Sequence, residues 1–233
     1  YYIVVLWMQL FLPGCNSKDS KPKQVLFETL NESRTGLVFS NKLSPTPTLN
    51  MLRYMYFYNG AGAAAGDFNN DGLADIFFAA NQSPNKLYIN TGDLHFKDVS
   101  TAAGIPVDGA WSTGVAVADI NNDGLLDIYV CRVGNFEKLQ SHNQLLICQG
   151  IKNGIPFYTD EAKSYGLDFS GFSTQAAFLD YDMDGDLDMF LLNHSLHYNS
   201  TFTARSNFEG THDPLSGDIL FRNDGGHFTD VSA

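Results

Sequence analysis

The stretch GAAAGDFNNDGLADI at residues 62–76 has two relatives further along the chain. They are GVAVADINNDGLLDI at 114–128 and QAAFLDYDMDGDLDM at 175–189. The first aspartates of the three acidic segments, Asp67, Asp119 and Asp180, are 52 and 61 residues apart. Self-similarity at such a spacing indicates a fold built from repeated units, so the repeat decides the fold class before any single element does.

A second shared module follows each acidic segment. It consists of an Asn- or Asp-led apolar run, beginning at Asn85, Asn143 and Asp218, and then of a Phe-led run, beginning at Phe96, Phe157 and Phe228. One unit therefore contains an apolar strand, an acidic loop, a second strand, a variable connection and two more strands. Asn-Asp-Gly-rich turns join the last two strands, because these residues tolerate positive φ.

These features predict an all-β fold, a β-propeller of four-stranded blades. About three blades are expected, at 54–106, 107–168 and 169–233, with a linker or first strand at 16–53. Propellers commonly have four to eight blades, so we expect the ring to be incomplete within this stretch. The runs at 76–78, 128–130 and 189–192 are continuously apolar, which predicts strands buried on both faces.

The acidic loops carry side-chain oxygens at positions 1, 3, 5 and 9, and a Gly at position 6 permits a sharp bend. A backbone carbonyl at position 7 completes a set of hard oxygen ligands that suits Ca²⁺ better than Zn²⁺ or Mg²⁺. About three calcium sites are predicted. Their ligands are Asp67, Asn69, Asp71, Leu73 and Asp75; Asp119, Asn121, Asp123, Leu125 and Asp127; and Asp180, Asp182, Asp184, Asp186 and Asp188.

The loops have two other interpretations. An EF-hand needs a Glu at position 12, where this chain has Phe78, Val130 and Leu191. Solvated turns are the commoner meaning of one such stretch. However, the three nine-residue windows hold 11 of the 26 acidic residues, and like charges at that density favour a cation.

The triple Asp-x-Asp/Asn-x-Asp-Gly-x-x-Asp motif resembles the FG-GAP or VCBS repeat family, which includes the integrin α-subunit propeller. The segment 56–60 and the Asn-led modules look closest to bacterial members associated with an ASPIC/UnbV-type region. The resemblance covers about residues 54–233. It implies a calcium-binding propeller whose metal ligands are Asp67, Asn69, Asp71, Asp75 and their equivalents.

The N-terminal residues 1–14 are uncharged and mostly apolar, and they precede Cys15. Leu12-Pro13-Gly14-Cys15 resembles a bacterial lipobox, so 1–15 is predicted to be a lipoprotein signal peptide with lipidation at Cys15. The alternative is a plain signal peptide. We expect an exported, lipid-anchored protein of the bacterial periplasm, outer membrane or cell surface, with the lipid anchor as its membrane contact. A net charge of −12 argues against nucleic acid as a partner.

Two residue pairs leave alternatives open. Cys131 and Cys148 could form a disulfide or remain buried thiols. His194 and His197 could be a metal or acid–base pair, but residues three apart on a strand point to opposite faces, which favours a structural or surface role.

The favoured function is non-catalytic binding of an extracellular protein or glycan, mediating adhesion. The connection at 194–216 carries Tyr198, Phe202, Arg205, Phe208 and His212, and could be a binding platform or a packed insertion. The alternative is a polysaccharide-active hydrolase or lyase with catalytic residues on that insertion or in further blades. A third hypothesis makes the chain a structural arm of a surface complex.

Overall fold

A computed structural model of the chain describes residues 27–195 and 213–232. The chain divides into two units, residues 1–31 and residues 32–233. Of the first unit, the structure describes residues 27–31, which form no helix or strand. The features of the second unit follow.

Twelve strands and two single-turn helices make up the described part of the second unit. In chain order they are α1 (Glu32–Thr35), β1 (Ala63–Gly66), β2 (Asp75–Phe78), β3 (Lys86–Asn90), β4 (Phe96–Asp98), β5 (Ser112–Ala118), β6 (Asp127–Arg132), β7 (Gln144–Lys152), β8 (Ile155–Asp160), α2 (Ala162–Tyr165), β9 (Ser173–Leu179), β10 (Asp188–Asn193), β11 (Ile219–Asn223) and β12 (Phe228–Asp230). The all-β prediction is confirmed. Between residues 27 and 53, α1 is the one regular element described.

The strands form three four-stranded antiparallel sheets. The first sheet has the order β1-β2-β3-β4, the second β5-β6-β7-β8, and the third β9-β10-β11-β12. Each strand therefore pairs with its neighbour in sequence, and each sheet lies within one of the three repeat ranges. The sequence prediction of four strands per repeat is confirmed.

A polar side chain at the start of each third strand joins it to the end of the second strand. Asn85 Oδ1 accepts the Ala80 N–H at 2.9 Å. Asn143 Oδ1 accepts the Arg132 N–H at 2.7 Å, and Asp218 Oδ1 accepts the Asn193 N–H at 2.8 Å. The Asn-led module found in the sequence thus satisfies a backbone donor that the ladder leaves unpaired, which explains why the module repeats.

The second sheet is buried on both faces. Ile128 and Val130 of β6 pack in one cluster with Phe77 and Leu87 of the first sheet. Tyr129 and Cys131 face the other way, in a cluster with Met189 and Leu191 of the third sheet. All six residues of β6 are buried, as its continuous apolar run predicts.

The same prediction is wrong for the third sheet, whose β10 is buried on one face. Phe190 is 39% exposed and Leu192 is 43% exposed, whereas Met189 and Leu191 are fully buried. The reason is that, among the described residues, one sheet packs against the third sheet and two pack against the second. On the first sheet, Phe39 of the preceding segment stacks on Phe78 with ring centroids 4.6 Å apart.

The first strands of neighbouring sheets approach closely at Gly114. A Cβ on this residue would collide with the backbone oxygen of Thr174 and with the side chain of Gln175. Gln175 Nε2 also donates to the Val115 carbonyl at 3.0 Å, and Thr113 Oγ1 donates to the Ser173 carbonyl at 2.7 Å. A glycine at 114 therefore sets the spacing between the second and third sheets.

Candidate functional site

The three acidic loops occupy equivalent places in the three sheets, each joining the first strand to the second. At the loop end of the two flanking strands, the paired residues are Gly66 with Asp75, Ala118 with Asp127, and Leu179 with Asp188. All three loops therefore lie at the same end of their sheets. Loops one and two also touch, because Asn70 Nδ2 donates to the Gly124 carbonyl at 3.1 Å.

The ninth-position aspartates form a clasp between the loop and the third strand. Each has no exposed surface, and each accepts one backbone N–H at Oδ2 and another at Oδ1. The donors are Phe68 at 2.9 Å and Asn90 at 2.8 Å for Asp75, Ile120 at 2.9 Å and Cys148 at 2.8 Å for Asp127, and Tyr181 at 2.9 Å and Asn223 at 2.8 Å for Asp188. Sequence analysis assigned these residues to the metal alone and missed this structural role.

The clasp has a second component, which differs between the sheets. The side-chain amide of Asn90 donates to the Ala74 carbonyl at 3.1 Å, and that of Asn223 donates to the Leu187 carbonyl at 3.2 Å. Cys148 stands at this place in the second sheet and cannot make that bond. There the hydroxyl of Tyr158 donates to the equivalent carbonyl, that of Leu126, at 3.1 Å. The position-8 carbonyl therefore accepts a hydrogen bond in all three loops, from an asparagine amide in the first and third and from a tyrosine hydroxyl in the second.

The first-position aspartates hold the bend of each loop. Asp67 accepts the N–H groups of Asp71 at 2.9 Å and Gly72 at 2.8 Å. Asp119 and Asp180 accept the equivalent pairs at 2.8–3.2 Å. Gly72, Gly124 and Gly185 all have positive φ, which confirms the reason for glycine at position 6.

The fifth-position aspartates bind the loop backbone one step later. Asp71 Oδ1 accepts the Leu73 N–H at 2.9 Å, and Asp123 Oδ1 accepts the Leu125 N–H at 2.8 Å. Asp184 Oδ1 accepts the Asp186 N–H at 3.1 Å. These bonds fix the backbone at position 7, whose carbonyl is a predicted ligand.

The third loop brings together acidic side chains that could hold a metal ion. One carboxylate oxygen each from Asp180, Asp182 and Asp188 lie within 4.8 Å of one another, the one such group of acidic, His or Cys residues among those described. Asp186 Oδ1 is buried and has no hydrogen-bond donor within the described ranges. A buried carboxylate oxygen without a donor is costly unless a cation is near, so these residues fit a divalent ion with oxygen ligands.

The charges of the third loop also favour a bound cation. The neighbouring Asp184 carboxyl, followed by loss of hydration, raises the pKa of the Asp186 carboxyl. Loss of hydration, followed by the charges of Asp184 and Asp188, raises the pKa of Asp182. Like charges at this spacing oppose one another, and a bound cation would relieve the repulsion.

In the first two loops an asparagine occupies position 3. Asn69 Nδ2 donates to Asp71 Oδ2 at 2.9 Å, and Asn121 Nδ2 donates to Asp123 Oδ2 at 2.9 Å. Burial raises the pKa of Asp75 and of Asp127 to about 6, although backbone hydrogen bonds lower it. The ligand sets of these two loops stay predictions.

His194 lies at the opposite end of the sheets, in an aromatic cluster. Its Nε2 is 3.2 Å from the Tyr54 hydroxyl, and its ring centroid is 4.1 Å from that of Tyr56. Tyr54 also packs edge-on against Trp111 at 5.7 Å. These contacts give His194 a structural role. His197 lies outside the described residues.

We expect His194 to make stability depend on pH. Burial lowers its pKa from 6.5 to about 4, so the folded state holds it neutral. The stability it contributes is complete above pH 6.5 and is lost as the pH falls towards 4. Urea unfolding should show that this residue lowers the free energy of unfolding at pH 5, relative to pH 7, by up to about 2 kcal/mol.

The control is a comparison of two substitutions. His194→Gln should flatten this part of the pH profile, whereas His95→Gln, at an exposed histidine, should leave it unchanged. Equal pH profiles for the wild-type protein and His194→Gln would contradict the assignment.

Both described cysteines are buried free thiols. Burial raises the pKa of Cys131 and of Cys148, which keeps them protonated. Of the alternatives that the sequence left open, the structure has the unpaired one. Also outside the described residues lie Cys15 and the residues singled out in the connection, which are Tyr198, Phe202, Arg205, Phe208 and His212. In the part of the chain that the structure describes, no helix has the length and apolar character to cross a bilayer.

Comparison with known proteins gives a family match that includes the first two acidic loops. Residues 53–130 match the FG-GAP-like repeat. The FG-GAP-like match covers the first sheet, the first two acidic loops and the strands that flank them.

Three curated relatives are proteins called cartilage acidic protein 1. The chain is 27% identical over 168 residues to that of Xenopus tropicalis, which covers 72% of the chain and 24% of the relative. Identity is 28% over 139 residues with that of Mus musculus and 29% over 136 residues with that of Homo sapiens, each covering 57% of the chain and 20% of the relative. The chain therefore spans about a quarter or less of the length of these relatives.

Proposed function

We propose that this chain is a calcium-stabilised, non-catalytic β-propeller module that binds an extracellular protein or glycan. The three meander sheets would be consecutive blades within 54–106, 107–168 and 169–233. Support comes from their order, because each sheet packs face to face on the next one in the chain. The FG-GAP-like match supports the same architecture.

The observation that carries the calcium proposal is the convergence of Asp180, Asp182 and Asp188 at one end of the third sheet. The other loops share its spacing and its hydrogen bonds at positions 1, 5 and 9. Five or more oxygens per loop, including the position-7 carbonyls, would hold the ion. When bound, Ca²⁺ would neutralise the loop carboxylates and link the first, second and third strands of each sheet.

A binding rather than catalytic role is proposed from the comparisons. The FG-GAP-like match and the similarity to cartilage acidic protein 1 favour it. This chain shares the acidic character stated in that name, with a net charge of −12. Export and lipidation at Cys15 are part of the proposal and depend on the Leu12 to Cys15 motif. A place among the bacterial ASPIC/UnbV-associated proteins is proposed from the segment 56–60 and the Asn-led modules.

The stoichiometry of calcium binding tests the proposal. Equilibrium dialysis of the full chain should give three Ca²⁺ per chain at saturation, and Asp184→Ala should give two. Asp93→Asn, in an exposed turn outside the loops, should keep three. Fewer than three ions on the wild-type chain, or an unchanged count in Asp184→Ala, would show that the loops are not equivalent sites.

A further inference from the structure

A cleft around Trp111 lies at the end of the second sheet that is opposite the acidic loops. Two adjoining cavities, of about 250 and about 530 Å³, share Gly109, Trp111, Lys138 and Leu139. The larger cavity is within the range of ligand pockets, about 300–1,000 Å³. Ser112 pairs with Arg132 at this end of β5 and β6, whereas Ala118 pairs with Asp127 beside the acidic loop. Six residues of strand separate the two sites by about 20 Å.

The cleft is basic although the chain is strongly acidic. Lys42, Lys138 and Arg132 line it, together with His142 and one carboxylate, that of Asp108. Three cations and one anion give the lining a net charge of +2, against −12 for the chain. Within the described residues, no carboxylate forms an ion pair with Lys42 or Lys138. An anionic ligand would therefore be attracted to this cleft and repelled from the rest of the surface.

The floor of the cleft contains a buried arginine with unused donor capacity. Arg132 is 2% exposed, and its guanidinium pairs with Asp108 at 2.7 Å. Its Nε–H has no hydrogen-bond partner within the described ranges. An unsatisfied buried donor on a residue that lines the cleft indicates a site that a polar ligand completes.

The remaining lining suits a sugar. Ser44, Thr46 and Gln140 contribute hydroxyl and amide groups along walls formed by Leu49 and Leu139. The Gln82 amide holds the Ser44 backbone in place through two hydrogen bonds. Neutral side-chain donors and acceptors over apolar surface are the groups that bind sugar hydroxyls, and the basic residues would bind an acidic substituent. We infer that the Trp111 cleft binds a carboxylate-bearing polysaccharide of the uronate type. This inference rests on the proposed binding function and names its ligand class and its site.

Tetragalacturonate binding to the full chain tests the assignment. The chain has two tryptophans, Trp7 and Trp111, so Trp7→Phe makes Trp111 fluorescence the reporter. Tetragalacturonate should change the emission in a saturable way, and its affinity should fall as salt is raised. The fully methyl-esterified tetramer, which keeps the shape without the charge, should bind at least tenfold more weakly.

Charge-removal variants separate the cleft from the general surface. In the Trp7→Phe background, Lys42→Gln with Lys138→Gln should weaken binding about tenfold, since each exposed charge pair contributes up to about 1 kcal/mol. Both lysines are exposed, so the variant should fold. Lys97→Gln with Lys152→Gln removes the same charge from exposed positions outside the cleft, and should bind like the parent.

Three results would overturn the assignment: no binding of tetragalacturonate, equal losses in the two double variants, or tighter binding of tetraglutamate than of the saccharide. The last result would identify an acidic peptide as the ligand class. Calcium stoichiometry is measured independently at the other end of the sheet. A chain that binds three calcium ions but no saccharide would contradict the ligand assignment of the cleft, and would not contradict the proposed calcium-binding module.

Discussion

Asp127→Ala is expected to lower the free energy of unfolding by about 3 kcal/mol in the presence of chelator. The substitution leaves the buried N–H groups of Ile120 and Cys148 without acceptors, at about 1–3 kcal/mol each. Part of this loss is offset because a buried charge is also removed, one whose pKa burial raises to about 6. Urea unfolding at pH 7, followed by circular dichroism, measures the difference.

Two further variants show whether the clasp is the cause. Asp127→Asn keeps one acceptor oxygen at the same place, and should lose about half as much stability as Asp127→Ala. Asp93→Asn changes an exposed aspartate and should stay within about 0.5 kcal/mol of the wild-type protein. If Asp127→Ala costs less than about 1 kcal/mol in chelator, the residue serves the metal and not the backbone.

The repeated architecture could be predicted because its signals are local. Apolar runs, Asn-Asp-Gly turns and the acidic loops each lie within about ten residues, and their threefold recurrence removes most of the ambiguity of any one copy. The burial of β6 followed from its composition. The exposure of Phe190 and Leu192 did not, because it depends on what packs against the third sheet.

The clasp illustrates a second limit. From spacing alone, Asp75, Asp127 and Asp188 are acidic residues at the end of a metal loop. Their bonds to Asn90, Cys148 and Asn223 join positions 15 to 35 residues apart and depend on the register of the third strand. In the second sheet, which has no asparagine amide at this place, the hydroxyl of Tyr158 donates to the Leu126 carbonyl. That bond depends in the same way on the register of the fourth strand.

The Trp111 cleft shows the limit most clearly. The lining of the cleft comes from segments near residues 42, 82, 109 and 138, which lie far apart in the chain. None of these segments has a motif of its own. The 194–216 connection is long and aromatic, and its two interpretations, a binding platform or a packed insertion, stay predictions alongside the cleft.

Calcium is expected to raise the thermal stability of the chain by a large amount. A ligand at one hundred times its dissociation constant adds about 2.7 kcal/mol per site, so three sites would add about 8 kcal/mol. For a domain of this size, 1 kcal/mol shifts the melting temperature by about 2–4 °C. Saturating calcium should therefore raise the melting temperature by roughly 15–30 °C above its value in chelator.

Substitutions in the loops should abolish this shift. The Asp71→Ala, Asp123→Ala, Asp184→Ala triple variant removes one predicted ligand from each loop and retains the buried clasp residues. It should melt at the same temperature with calcium and with chelator. A control with Glu28→Gln, Asp93→Asn and Glu137→Gln removes three exposed negative charges outside the loops and should keep the full shift.

The melting temperature of the wild-type chain in calcium and in excess chelator tests the calcium-clamped loops most directly. A rise of at least 15 °C in calcium, absent from the triple loop variant and present in the charge-matched control, is the predicted result. A well-folded chain that melts at the same temperature in both conditions would show that the acidic loops are solvated turns held by their own hydrogen bonds.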